Sequence, residues 1–254
     1  MNHHSSFVPK LILLFAAALP VSLNASPTTF SQIVAADTYV SSGEPAVNFG
    51  SKGAMEIAVP TTLQNRTQES LIRFNTSAVK SVFDTDYGAG NWTISSIKLQ
   101  FFSNYSTAGM QPGNTSFNVI AAGNFELDWL SNDSWSETGI TWNTLSSVLP
   151  GTGNNTLSSL GDFNWSADGS TIQTWTLSLD SNLVTDITTG GLVTILGQPA
   201  AGSTVGYLFN TLNNSPAYLN VTADVTAVPE PSALAMFSCG FGGLMAVRRW
   251  KNQK

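Results

Sequence analysis

Between residues 26 and 228 the chain has no histidine and no cysteine; His3 and His4 lie ahead of that stretch and Cys239 beyond it. The absence excludes a Ser-His-Asp triad, a cysteine nucleophile, a zinc site of the usual kind and a disulfide from the body of the protein. A fold without cross-links must rest on its apolar core. Such a core is available, because a chain of ~150 to 300 residues buries roughly 70 to 75% of its surface. Basic residues are almost as scarce. Lys52, Arg66, Arg73, Lys80 and Lys98 stand against sixteen carboxylates, Glu230 near the C-terminus included, a balance near −11 once the basic ends are set aside. So acidic a body lacks the cationic contacts that nucleic acid requires. It suits solubility outside a cell and the binding of cations.

What is present begins with the two ends. Lys10 precedes an apolar run at 11–19, Pro20 breaks it, and Ala25 is a small residue fit for cleavage. Residues 1–25 therefore read as a secretory signal peptide. At the other end, Val228-Pro229-Glu230-Pro231 is followed by an almost uncharged run at 232–247 and then by Arg248, Arg249 and Lys251. An apolar helix with positive charge on its far side is held in a membrane with that end in the cytoplasm. The run is a little short of the roughly 20 residues that span a bilayer core, and Gly242 and Gly243 interrupt it. Residues 227–254 resemble a PEP-CTERM sorting signal. That resemblance implies an exosortase-type membrane protease as partner, transient anchoring by the C-terminal helix, and delivery to the cell surface or extracellular matrix. A plain C-terminal anchor is the alternative.

The body, 26–226, is rich in Ser, Thr, Asn and Gly and carries short alternating or β-branched runs between turn residues. These predict strands near 33–40, 54–59, 69–75, 94–104, 115–122, 139–142, 171–179, 192–198, 205–210 and 217–226. In 94–102, Ile97, Leu99 and Phe101 fall on one face and Lys98 and Gln100 on the other, so one side is buried and one wet. A short helix is predicted at 182–189 with Asp180 or Asn182 as its cap. The stretch 151–160 reads as a loop and 227–231 as a linker. Together these predict an all-β fold, a jelly-roll sandwich of about ten strands in two packed sheets. A signal peptide and a single-helix sorting signal flank it.

Several phrases fall at the intervals of a known family. Asp37-Thr-Tyr-Val, Asn48-Phe-Gly-Ser, Met55-Glu-Ile-Ala-Val and Leu71-Ile-Arg73-Phe74 resemble the opening of DNRLRE domains. Trp135-Ser-Glu137-Thr-Gly-Ile-Thr141-Trp142-Asn143 resembles their central signature, and the phrases at 191–196 and 215–221 their closing strands. The resemblance, spanning about 33–226, implies a β-sandwich like carbohydrate-binding module family 96, some of whose members bind alginate-like polysaccharides.

Read on their own chemistry, Trp135 and Trp142 suit core packing, while Thr141, Asn143 and Glu137 suit backbone contacts in a loop. Arg73, in an apolar strand, reads as a half-buried arginine paired with a carboxylate. Sugar rings stack on aromatics that lie outside the core alternation, which nominates Tyr105, Trp129 and Trp165, with Arg66 and Lys52 reaching from loops. The acidic field opposes a polyanion, so the glycan is neutral or calcium bridges carboxylates. A structural calcium could sit between Asp37 and Asp224, on the first and last strands. The Asp180, Asn182 and Asp186 spacing suits a helix cap better than a calcium loop. Glu126, Asp128 and Glu137 are carboxylates that could in principle hydrolyse a glycoside.

The expected function is a non-catalytic, exported protein that binds or organises extracellular polysaccharide. A matrix protein making only protein contacts and a carboxylate-dependent polysaccharide-degrading enzyme are the alternatives.

Overall fold

The computed structural model describes residues 26–60, 65–102, 123–164, 172–210 and 215–226. The signal-peptide and sorting-signal segments, the strand expected at 115–122, and Tyr105 and Trp165 lie outside the described residues. In chain order the elements are β1 (Thr28–Ser41), β2 (Ala54–Ala58), β3 (Gln68–Asn75), α1 (Ser77–Tyr87), β4 (Trp92–Phe102), β5 (Asn124–Leu130) and α2 (Trp142–Leu145). Then follow β6 (Leu157–Asn164), β7 (Ile172–Thr176), α3 (Ser181–Thr189), β8 (Leu192–Pro199), β9 (Gly206–Asn210) and β10 (Tyr218–Val225). Among the described residues no helix is long and apolar enough to cross a membrane.

The ten strands form one sheet that curls into a nearly closed, barrel-like sandwich. The joint is β1. Its first half, Thr28 to Ile33, pairs with β10, and from Val34 to Ser41 it pairs with β3, with an irregularity between Val34 and Ala36. A bulge of this kind bends a strand and increases its twist, which lets one strand serve two walls. The first half-sheet runs β1-β10-β4-β7 and the second β1-β3-β8-β5-β6, all antiparallel. β2 and β9 pair with each other, and β2 also touches β3. The expectation of two separate sheets is thus corrected to one continuous sheet with two walls.

Period-2 alternation decides what lies between the walls. Phe101, Phe125, Trp175, Tyr207 and Phe209 meet there, with Phe101 stacked on Phe209 at 4.5 Å and Phe125 edge-on to Trp175 at 5.1 Å. Helices α1 and α3 add Val79, Phe83, Leu183 and Ile187 to the same core. The predicted cap is present: the Asp180 carboxylate accepts the N–H groups of Asn182 and Leu183, and Gly190 ends α3 in the left-handed conformation at φ 75°.

Three expectations differ. The expected strand at 139–142 is a turn leading into α2, because the Thr144 hydroxyl accepts the Thr141 N–H and the chain turns inward instead of extending. The expected loop at 151–160 gives way at Leu157 to β6, a polar edge strand that β5 pairs along its length. β5 and α1 were not expected at all. Only Phe125, Leu127 and Trp129 mark the inner face of β5, with two acids between them, and α1 shows only Val79 and Phe83 buried.

Candidate functional site

The two walls have different outer faces. On the second half-sheet, Ala36, Val40, Leu71, Leu130 and Leu196 point away from the main core yet are buried. They are covered by residues 131–156, which bring Trp135, Ile140, Leu145 and Val148 onto them as a second, smaller core. Asn48 pins this cover: its side-chain N–H groups donate to the backbone oxygens of Glu137 (2.8 Å) and Ile140 (2.7 Å). Gly50 lies so close to the Glu137 backbone that a Cβ would overlap it. Arg73 donates to the carbonyls of Asp133 (2.8 Å) and Trp135 (2.7 Å), and its guanidinium lies 4.8 Å from the centre of the Trp135 ring.

The expectation that Arg73 pairs with a carboxylate is met only in part: its charge favours the ionised form of Asp133, but its hydrogen bonds go to backbone carbonyls. The nearby Asp133 carboxylate is turned to the Thr194 hydroxyl, and carbonyl oxygens with an aromatic face take the arginine instead. Trp135 is buried and donates its indole N–H to Thr194, while Trp142 is half-buried against the same small core. Asn143 contributes through its backbone N–H, which donates to the Pro45 carbonyl. The Trp135-to-Asn143 phrase thus builds the cover.

Of the residues nominated for binding, Trp129 is a core residue, 7% exposed, with its indole N–H donating to Asp186 at 2.7 Å. This overturns its nomination: the alternation of β5 turns Trp129 inward, where no sugar can stack. Arg66 sits half-buried beside Glu44, 3.8 Å away, on the segment leading into β3, with β3 and β8 lying between that segment and β5. Lys52 is exposed in the turn before β2.

The proposed calcium pair is also overturned. Thr28 lies opposite Ala223, whereas Asp37 sits nine residues further along β1. That is roughly 30 Å at ~3.3 Å per residue, too far for one ion. Asp180, Asn182 and Asp186 serve separate neighbours, namely the α3 cap, Ser158 and Trp129. Among the described residues no group of three or more His, Cys, Asp or Glu side chains could hold a metal.

Two of the three carboxylates considered for hydrolysis do come together. Glu126 and Asp128 share the outer face of β5, and the Gln198 amide donates to Asp128 at 2.9 Å and to Glu126 at 3.4 Å. Burial pushes the Asp128 carboxyl up to about 6, with the Glu126 charge adding to the shift and the Gln198 hydrogen bond opposing it. Glu137 is held in the cover, apart from this pair. A second buried acid, Glu56, accepts from Gln68 at 2.6 Å; burial pushes it up to about 7, partly offset by the charge of Arg66.

The outer face of the first half-sheet is different. Its outward positions are exposed or half-exposed: Thr29, Ser31 and Ile33 on β1, Tyr218, Asn220 and Thr222 on β10, Gln100 and Phe102 on β4, and Ile172, Thr174 and Thr176 on β7. Ladder register places Ile33, Tyr218, Gln100 and Thr174 in one row and Ser31, Asn220, Lys98 and Thr176 in the next.

Tyr218 and Phe102 meet edge-on at 6.2 Å, and Ile33 (43%) and Ile172 (49%) flank them as the unusually exposed apolar groups of this wall. Beside the aromatics, the Ser31 hydroxyl donates to Asn220 at 2.6 Å and the Asn220 amide donates to Gln100 at 3.4 Å. Aromatic surface beside pre-oriented amides and hydroxyls is the composition of a ligand site, where apolar contact supplies affinity and a few fixed polar groups supply orientation.

None of these residues was nominated from the sequence. Their signal was nonetheless present, since Phe102 shares the wet phase of Lys98 and Gln100, and Tyr218 the wet phase of Asn220 and Thr222. The family model described as carbohydrate-binding module family 96 matches residues 28–165, more than half of the chain. No curated protein matches the chain.

Proposed function

The chain belongs to carbohydrate-binding module family 96, and from that premise we propose that it is a non-catalytic protein that binds or organises extracellular polysaccharide through the open face of the first half-sheet. The observation that carries this reading is the Tyr218–Phe102 pair beside the Ser31–Asn220–Gln100 hydrogen-bond line, on the wall whose outer face is open. The strand orders β1-β10-β4-β7 and β3-β8-β5-β6 support a jelly-roll reading, since each wall draws strands from both ends of the chain.

The ends support export through an inner membrane. Cleavage after Ala25 releases the body, and the tail with Pro229, Glu230, Pro231, Arg248 and Arg249 presents it to an exosortase-type protease, leaving it at the cell surface or in the matrix.

The test is retention of the full-length protein by immobilised polysaccharides, compared with Tyr218→Ala and Phe102→Ala. Retention that falls at least tenfold in both variants, with the thermal midpoint kept, supports the reading; equal retention by all three proteins overturns it. Export is tested by the mass of the protein in surface fractions, where recovery only of intact chains from the cytoplasm would sink that part.

The Glu126–Asp128 pair supports one second reading, carboxylate-dependent glycoside hydrolysis, because a buried acid beside a second carboxylate is how a general acid keeps its proton near neutrality. Reducing-end release that disappears in Asp128→Asn would establish it in place of the first.

A further inference from the structure

The charge of the open face narrows its ligand. We propose that this face takes a neutral polysaccharide chain, laid side-on across the strands, rather than a polyuronate. This rests on the preceding reading that the first half-sheet is the glycan-binding wall.

The body has five basic residues against a large excess of acids, so its long-range field repels a polyanion before contact. The face itself does nothing to reverse that field. Among the described residues its charged groups are Lys98, in the row with Ser31 and Asn220, and Asp224 at the far end of β10, which offset each other. The other four basic residues lie elsewhere: Lys52 in the turn before β2, Arg66 beside Glu44, Arg73 under the cover, and Lys80 paired with Asp84 on α1. A polyuronate would bring one carboxylate per ring to a surface with one lysine to receive it.

What the face does supply is suited to uncharged hydroxyls. Asn220 and Gln100 each have amide donor and acceptor capacity, and Ser31 holds Asn220 in orientation. Tyr218 and Phe102 offer an edge-on aromatic pair for the C–H face of a ring. Four strands make the wall roughly 14 Å wide at ~4.8 Å per strand, with its outward residues level in rows. Such a surface contacts several consecutive rings from the side.

The experiment is affinity electrophoresis of the full-length protein in gels containing a neutral β-glucan or a polyuronate, at salt concentrations between about 0.05 and 0.5 M. The expected result is retardation by the neutral glucan that changes less than twofold with salt and falls at least tenfold in Tyr218→Ala and in Asn220→Ala. Both variants are checked for an unchanged thermal midpoint. Retardation by the polyuronate alone, lost with salt and lost in the same variants, overturns the neutral class and leaves the binding wall standing. Retardation by either glycan that survives both substitutions overturns the wall, and the inference with it. No retardation by either glycan overturns both.

Discussion

The two walls obey the same alternation on their inner sides and opposite rules on their outer sides. On the second, outward positions such as Val40, Leu71 and Leu196 are apolar and lie beneath residues 131–156. On the first, outward positions are Ser31, Asn220, Gln100, Tyr218 and Phe102, exposed or half-exposed. A wall that is apolar on both faces needs a cover. Asn48, Gly50, Arg73 and Trp135 hold that cover down through backbone carbonyls and ring contact. The phrases around Asn48 and from Trp135 to Asn143 are therefore spent on architecture, while on the wall read as functional the phrase at 215–221 carries Tyr218 and Asn220. A sequence signature marks what must be folded as well as what lies open.

Four expectations test this contrast, from the largest effect to the smallest. Trp135→Ala removes a buried ring, its hydrogen bond to Thr194 and the surface on which Arg73 lies. A cost of about 3–5 kcal/mol is expected in chemical denaturation. Glycan retention by the protein that remains folded should be unchanged. If retention falls in proportion to the ring loss while stability holds, the roles of the two walls are exchanged.

The second concerns pH. The Glu56 carboxyl is 5% exposed and raised from 4.5 to about 7, with Arg66, Gln68 and Tyr39 around it. The folded state binds its proton more tightly than the unfolded state. Its stabilisation is therefore fully present below about pH 4.5 and is lost as pH rises through 7. The loss is on the order of 3 kcal/mol. Asp128, raised to about 6, acts in the same direction. Thermal midpoints should fall from pH 5 to pH 8, and Glu56→Gln should flatten that slope; a midpoint that rises over the interval contradicts the assignment.

Third, Asn48→Ala leaves the carbonyls of Glu137 and Ile140 without their donor, a cost of about 1–3 kcal/mol. Proteolysis should then begin within 131–156 before it reaches the strands; uniform cleavage would show that the cover is not a separate element. Last, Tyr218→Ala removes a half-exposed ring and should change stability by less than about 1 kcal/mol, since surface substitutions away from the core cost little. A larger loss in calorimetry would make Tyr218 a structural residue and deprive the open wall of its main argument.

Much of this fold was legible before any coordinates. Eight of the ten strands, the α3 helix and the Asp180 cap follow from alternation and capping chemistry, because those signals are local. β6 was missed because an edge strand with Leu160 as its one buried residue shows almost no alternation. α1 was missed because a short helix with two buried residues looks like the loops around it. The candidate site fared worse. Trp129 lay beside a loop in the chain yet faces the core, since the strand that contains it, with acids at Glu126 and Asp128, was not recognised as one.

The chain by itself determined that the body must stand on an apolar core without disulfides, that it carries an excess of acids, and that its strands alternate with a two-residue period. Those properties belong to composition and to the two-residue period, and no neighbour can change them. Only the tertiary structure decided which segment covers the second wall. An apolar outward phase such as Val40, Leu71 and Leu196 calls for a cover without saying which remote segment, here 131–156, returns to lie on it. It also separated Asp37 from Asp224 and set Tyr218 beside Phe102, because register between strands distant in sequence is settled by pairing along their full length.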